Sequence, residues 1–240
     1  MGRLQVIPKK QSNTEIDLFA DKSGLILYWL LKYGENQELS VREISRQLKV
    51  SLGLTQRVVE ALVKNGVLSV KGVRTSKEYG LKNPAKLFRL WLNHYDLLKK
   101  CKVWTYDSGF SSKEELMYAL KQSKLKDHVT LTLHSAADAL GFKNTNIETL
   151  ELYIDDLDIK DELESKLDLT PKERGYQVLL VKPYYKAILE FENFQSKAAG
   201  LRIEPELLAV LDLFHFPLRG REQAEQIIKK TVFLKGIYEK

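Results

Sequence analysis

The first ninety residues alternate short apolar clusters with polar breaks, and this order predicts helices followed by a hairpin. Leu25 to Leu31 is apolar on almost every side, which is typical of a buried helix. Gly34 follows it and is expected to end that helix, because glycine adopts positive φ without a Cβ penalty. Ser40 with Glu43 three positions later is a capping-box sequence, which predicts the start of a second, short helix.

A third helix is predicted from Leu52 to Lys64, with Ser51 as its N-cap. Its apolar positions recur at i, i+3, i+4 and i+7, the spacing of one buried helix face. These positions are Thr55, Val58, Val59 and Leu62. Asn65-Gly66 is expected to end the helix, since both residues tolerate the left-handed conformation.

The hairpin that should follow consists of two short apolar runs around a basic loop. Val67 to Val70 and Tyr79 to Leu81 predict the two strands, and residues 71–77 form the connection, here called the hairpin loop. Helix, short helix, turn, helix and hairpin is the order of a winged helix-turn-helix. We therefore expect an arm over 1–18, a winged helix-turn-helix domain over 19–83 and a linker helix over 84–103.

Within that domain, the face of the third helix opposite its apolar stripe is predicted to bind DNA. Glutamine pairs bidentately with adenine and arginine with guanine, while a hydroxyl at a helix N-terminus suits a phosphate. The candidates are Ser51, Gly53, Gln56 and Arg57 on the helix, and Lys71, Arg74 and Lys77 on the hairpin loop. The alternative is a winged helix that binds protein instead of DNA.

Residues 104–240 predict a second domain with mixed α/β structure, because apolar β-rich runs alternate with amphipathic segments. Strands are expected at Val129–Leu133, Thr149–Ile154 and Tyr176–Val181. Helices are expected after the capping-box sequence Ser111–Glu114, over 135–140, over 158–167, after Pro205 and over 221–230. The fold class predicted for the whole chain is α/β (α+β), with the winged helix-turn-helix first.

Charge separates the two parts of the chain. The total is 38 basic and 32 acidic residues, or +6, but residues 1–103 carry 19 and 9, or +10. Residues 104–240 carry 19 and 23, or −4. A basic half predicts a polyanionic partner for that half.

Candidate catalytic chemistry in the second half is incomplete. Cys101 is the only cysteine, and the four histidines show no metal-binding spacing, so no metal or cofactor is expected. The carboxylates Asp155, Asp156 and Asp158 leave open an enzyme alternative, a metal-dependent nucleotidyltransferase or nuclease. His134-Ser135 lacks the elbow sequence of a hydrolase nucleophile. We therefore expect no enzyme activity, and assign no catalytic residue.

Several stretches in their order along the chain resemble the AbiEi-type antitoxins and related transcriptional regulators. These are the basic domain, the segments 83–91, 131–137 and 175–185, and the tail over 200–213 and 219–225. The sequence departs from the family pattern at His134, where glycine is usual, and at 214–216.

The resemblance implies an operator-binding repressor that is often encoded beside a nucleotidyltransferase-like toxin. It implies DNA contacts at the helix and hairpin-loop residues named above, and a second domain that is a degenerate nucleotidyltransferase or binds a partner. We expect a cytoplasmic regulator of transcription with double-stranded DNA as its partner, a cognate toxin as a further partner, and no membrane association. The sequence leaves the oligomeric state open.

Overall fold

A computed structural model describes residues 16–192, 197–198 and 200–239 of the chain. Most of the predicted arm over 1–18 lies outside the described residues. The described chain is mixed α/β, with helices around two separate sheets, and the predicted α/β class is confirmed.

Residues 21–81 form a helix-rich unit closed by a small antiparallel sheet. Its sheet has the order β1-β3-β2, so the strand before the second helix pairs with the last strand of the hairpin. The elements are α1 (Asp21–Tyr33), β1 (Glu38–Leu39), α2 (Val41–Leu48), α3 (Leu52–Lys64), β2 (Leu68–Lys71) and β3 (Glu78–Leu81). Helix α3 and both hairpin strands are confirmed within one residue, and α2 begins after Ser40 as predicted, whereas α1 begins four residues before the predicted Leu25.

The start of α2 follows from its capping box. The Ser40 hydroxyl accepts from the Glu43 amide at 3.3 Å, and the Ser40 amide donates to Glu43 Oε2 at 2.7 Å. Two backbone groups that a helix start leaves unsatisfied are thereby paired. The predicted stripe of α3 is buried at all four positions, and it packs α3 against the apolar α1.

Gly34 ends α1, but for a different reason from the one expected. Its φ is −83°, and the left-handed residue of this turn is Asn36 at 61°. A Cβ on Gly34 would lie 2.5 Å from the Leu30 carbonyl oxygen. Glycine is therefore required by close backbone approach and not by positive φ.

The segment after the hairpin differs from the single linker helix that was predicted. Helix α4 (Pro84–His94) ends at Tyr95, and a short α5 (Leu97–Lys100) starts anew at Asp96, whose Oδ1 accepts from the Leu98 amide at 3.1 Å. Leu92 and Leu97 are buried, whereas Leu90 and Leu98 are exposed.

The second sheet has seven strands in the order β7-β4-β8-β6-β5-β10-β9. The pairs β6/β8 and β5/β10 are parallel and the other pairs antiparallel, so the sheet is mixed. The strands are β4 (Lys102–Ser108), β5 (Val129–Leu131), β6 (Leu150–Ile154), β7 (Leu169–Pro171), β8 (Val178–Lys182), β9 (Lys197–Ala198) and β10 (Leu201–Ile203). The three strands predicted from sequence are the buried β5, β6 and β8.

Helices cover both faces of this sheet. They are α6 (Lys113–Lys121), α7 (Leu133–Ala139), α8 (Leu157–Lys166), α9 (Lys186–Phe191), α10 (Glu206–Phe214), α11 (Gly220–Lys230) and α12 (Val232–Tyr238). The cap of α6 is Ser112, which accepts from the Glu115 amide at 3.2 Å, one position after the predicted Ser111. Among the described residues, no helix has the length and apolar character needed to cross a membrane.

The two halves share one hydrophobic cluster, to which the buried Tyr185 belongs. Its hydroxyl accepts from Trp91 Nε1 at 2.7 Å and donates to the Phe19 carbonyl at 3.0 Å. Its ring packs so closely on α1 that a Cβ on Gly24 would lie 2.5 Å from Tyr185 Cε1. The side chain of Tyr185, the residue directly before α9, therefore contacts both α1 and α4.

A carboxylate at the end of α9 attaches that helix to the far end of α1. Glu192 accepts from Lys32 Nζ at 2.9 Å, from the Tyr28 hydroxyl at 2.9 Å and from the Tyr33 hydroxyl at 3.0 Å. At the other end, the Ala187 amide donates to Asp21 Oδ1 at 2.9 Å. Helix α1 is thus held at both ends by the second half of the chain.

Glu204 and Asp212 form a pair of fully buried carboxyl groups in the second half, where Glu151 of β6 is also fully buried. Asp212 accepts from the Tyr95 hydroxyl at 2.8 Å and from the Tyr153 hydroxyl, while Glu204 Oε1 accepts from the Leu133 amide at 2.7 Å. Burial first, and then the charge of Asp212, raises the pKa of Glu204 well above its usual range. Glu204 is therefore the group that holds a proton in the folded chain.

Removing the Tyr185 hydroxyl tests the junction between the halves. Tyr185→Phe keeps the ring but leaves the buried Trp91 N–H without its acceptor. We expect a loss of about 1–3 kcal/mol in the free energy of unfolding, measured by urea denaturation. Tyr118→Phe, at a side chain that is 67% exposed, is the matched control and should change stability little. Equal effects of the two variants would contradict this role.

Glu204→Gln tests the buried acid. Because its pKa is raised, the folded chain keeps a proton that the unfolded chain has released above about pH 4.3. The free energy of unfolding therefore falls as pH rises from that value towards the folded pKa, by up to about 1.4 kcal/mol per pH unit. Glutamine does not titrate, and its carbonyl still accepts from Leu133. We expect the thermal midpoint of the variant to rise relative to that of the wild type as the pH increases above about 4.3, whereas a pH-independent difference would contradict the assignment.

Candidate nucleic-acid interface

A tight turn between α2 and α3 sets the direction of α3. Lys49 ends α2 in the left-handed conformation at φ 52°, and the Ser45 hydroxyl donates across the turn to the Val50 carbonyl at 2.7 Å. Thr55, fully buried, donates to the Ser51 carbonyl at 3.1 Å. These bonds fix the first turn of α3, and the face of α3 opposite the buried Thr55 lies in solvent.

The residues predicted for DNA contact on α3 lie on that solvent face. Ser51, Gly53 and Arg57 are exposed and Gln56 is half-buried. Gln56 Nε2 donates to Glu60 Oε1 at 2.5 Å, and Arg57 Nε donates to the Gly53 carbonyl at 3.3 Å. Both contacts stay within α3, so neither side chain is engaged by the rest of the protein.

Ser51 has a structural role as well as an exposed position. Its hydroxyl accepts from the Leu54 amide at 3.4 Å, a long N-cap bond. Gly53 has no atom within 4 Å of where a Cβ would stand. Space is therefore open above the first turn of α3, where a phosphate or a base edge would approach.

The hairpin loop turns on Gly72, where φ is +77° and a Cβ would lie 2.2 Å from the Ser76 carbonyl oxygen. The turn exposes Arg74 and Lys77, and neither forms an ion pair among the described residues. Lys71 differs, because its ammonium pairs with Glu38 of β1. Of the three predicted loop cations, two are available to a partner and one is already partly neutralised.

Unpaired cations are the main electrostatic feature of this half. Residues 21–89 contain 13 lysines and arginines and six acidic residues. Within the described part of the chain only Lys32 and Lys71 of these cations form ion pairs. The second half behaves differently, since many of its cations are paired with carboxylates, including Lys113, Lys143, Lys160, Lys172, Arg202, Arg219 and Arg221.

Three further cations near α3 were not singled out from the sequence. Arg42 and Arg46 are exposed on α2, four residues apart and so on one face, and Lys49 is exposed in the turn to α3. None forms an ion pair with another described residue. The sequence could have indicated the two arginines, because on α2 they lie away from the apolar positions Val41, Ile44 and Leu48.

The carboxylates of the enzyme alternative do not converge. Asp155 accepts from Arg202 Nη2 at 2.8 Å, whereas Asp156 caps α8 by accepting from the Ile159 amide at 3.1 Å. Asp158 lies exposed in the first turn of α8. No group of three or more potential ligands among the described residues could hold a metal ion. The two strand-end acids thus have separate structural partners.

His134 and Ser135 also have separate surroundings. The Ser135 hydroxyl donates to the buried Glu151 at 2.6 Å, and the Ser135 amide donates to the same carboxylate at 2.9 Å. The nearest hydroxyl to His134 Nδ1 is that of Thr145, at 3.5 Å. Burial lowers the pKa of His134 to about 4, so the ring is neutral near pH 7. His134 and Ser135 do not form a nucleophile–base pair.

The face formed by α3, α2 and the hairpin loop is thus the candidate site that the geometry brings together. It combines exposed polar side chains on one helix with unpaired cations on both sides of it. Comparison of the chain with protein-family models, with curated proteins and with solved structures finds no match.

Proposed function

We propose that this protein is a sequence-specific DNA-binding regulator of transcription that acts as a repressor by occupying an operator. In this proposal residues 19–83 are a winged helix-turn-helix, with α3 as the recognition helix and the hairpin loop as the wing. The α3 side chains contact base edges, and the wing cations contact phosphates. Its mechanism is site occupancy, and no residue has a catalytic role.

The observation that carries the proposal is an exposed α3 face beside cations that, except for Lys71, form no ion pair with a described residue. A protein pays for leaving like charges close together unless a counter-charge arrives, and a duplex supplies a dense row of phosphates. The element order α1-β1-α2-α3-β2-β3 and the β1-β3-β2 sheet support the winged-helix assignment.

The second half of the chain has a scaffold role in this proposal. Its helix α9 holds α1 at both ends, and α1 packs on α3. The position of the DNA-binding face is therefore coupled to the sheet of the second half. Neutralisation of a cognate toxin, which the family resemblance implies, is a further proposal that rests on the resemblance alone.

Arg57→Ala tests the recognition helix. Selection on random duplexes would first supply a preferred sequence, and fluorescence anisotropy would then compare it with a scrambled duplex. A bidentate arginine–guanine contact contributes about 1–3 kcal/mol of discrimination, so the ratio of the two Kd values should fall by about 5- to 150-fold. Gln56→Ala should relax preference at a neighbouring position.

The control for this test is Arg174→Ala, which removes an exposed arginine of the second half that forms no ion pair with a described residue. It should leave the discrimination ratio unchanged. If Arg57→Ala retained the full ratio, α3 would not be the element that distinguishes bases.

Arg74→Ala and Lys77→Ala test the wing. Loss of a phosphate contact should weaken binding to preferred and scrambled duplexes alike and reduce the slope of log K against log salt by about 0.9 per contact. Lys71→Ala should have a smaller effect on affinity, because Glu38 already pairs with its ammonium. The assignment would be contradicted if affinity fell only for the preferred duplex. It would also be contradicted if Lys71→Ala weakened binding more than Arg74→Ala and Lys77→Ala do.

A further inference from the structure

A second group of cations lies at the end of the hairpin opposite the hairpin loop. We call Lys64, Lys82, Lys86 and Arg89 the α4 patch. All four side chains are exposed, and none forms an ion pair with another described residue. The sequence from 79 to 95 contains no Asp or Glu, so no acid within that stretch neutralises them.

Hydrogen bonds place this patch against the C-terminal end of α3. Lys86 Nζ donates to the Asn65 carbonyl, the C-cap of α3, at 2.7 Å. The amides of Lys82 and Asn83 both donate to the Val67 carbonyl, at 2.9 and 3.0 Å. The first turn of α4, the last turn of α3 and the base of the hairpin therefore meet at one point.

The exposed side of α4 has the chemistry of a phosphate-binding surface. Asn83, Lys86, Arg89 and Asn93 line one shallow concavity, together with Ala85 and Leu90. The Oδ1 atom of Asn83 accepts from the Lys86 amide at 3.0 Å, which leaves the Asn83 NH₂ group pointing away from that bond as a donor. Lysine, arginine and amide donors are the groups that contact phosphate oxygens in protein–DNA complexes.

The structural requirements of the fold account for only part of the α4 patch. Lys86 stabilises the C-terminal end of α3, where carbonyl oxygens and the helix dipole favour a cation. Lys82 and Arg89 make no such contact, and both are free of ion pairs among the described residues. Unpaired cations gathered beside one another repel, so a fold requirement does not explain their position.

The α4 patch and the wing lie at opposite ends of a hairpin whose strands have four residues each. Four strand residues span about 13 Å, similar to the major-groove width of about 12 Å. A recognition helix in that groove has a phosphate backbone on each side. The length of the hairpin between the two groups of cations is therefore of the same order as the width of the groove.

We propose that the α4 patch binds the phosphate backbone of the same DNA duplex as α3, on the side away from the wing. This inference rests on the proposed function, and it extends the DNA contact beyond the winged-helix residues into α4. Its contribution is independent of base sequence, because the donors face phosphates and not base edges.

The experiment measures the binding of the full chain to a 30-base-pair mixed-sequence duplex by fluorescence anisotropy, over a range of salt concentrations. The test variant K82A/R89A removes two cations and keeps the Lys86 cap on α3. We expect weaker binding at every salt concentration and a slope of log K against log salt that is smaller by about 1.8, the value for two lost contacts at about 0.9 each.

The matched control is the double variant K166A/R174A, which removes one lysine and one arginine that are exposed in the second half and unpaired among the described residues. It should keep the wild-type slope, and unchanged thermal midpoints for both variants would show that the fold is intact.

Three results would overturn the inference, and they differ in what else they affect. If the wild type binds with a steep slope and K82A/R89A matches it, the α4 patch is outside the contact while the proposed function stands. If the control loses as much slope as the test variant, the effect is one of total charge and not of position. If the wild type does not bind the duplex at all, the proposed function itself fails.

Discussion

The hydroxyl of one buried tyrosine joins the two halves of this protein through hydrogen bonds. Tyr185 accepts from Trp91 of α4 and donates to the carbonyl of Phe19, just before α1. A buried donor or acceptor without a partner is costly, so Trp91, Tyr185 and the start of α1 hold one another in place. Since α1 in turn packs on α3, the orientation of the candidate DNA-binding face follows from a contact made almost entirely within the core.

Ion pairs, unlike the hydrophobic core, are distributed unequally between the two halves. The core is continuous across the halves, whereas ion pairs are concentrated in the second half among the described residues. Among the described residues, the first half leaves most of its cations without carboxylate partners. A surface ion pair contributes little to stability, so few such pairs are needed to keep the first half folded, and its unpaired cations stay available for a polyanion.

The elements that could be predicted from the sequence are those with local signals. Ser40 with Glu43 marks a helix start through backbone bonds, and the stripe Thr55, Val58, Val59 and Leu62 marks a helix face. Strands β4, β7, β9 and β10 and helices α9 and α12 were not predicted, because they are short or lack clear periodicity and are stabilised by neighbours distant in sequence. The break between α4 and α5 was missed for a similar reason, since Asp96 caps a four-residue helix inside an apparently continuous pattern.

The sequence by itself determined where the basic half lies, which face of α3 is polar and which residues lie in the hairpin loop. Those properties follow from residue type and helical or strand spacing, which are local. Only the tertiary structure decided which cations are unpaired, that Lys71 is held by Glu38, and that α4 meets the end of α3 through Lys86. The tertiary structure also gives Asp155 and Asp156 different partners, the Arg202 guanidinium and the Ile159 amide. The contacts of Lys71, Lys86 and Asp155 join residues far apart in the chain, and only the fold brings them within hydrogen-bond distance.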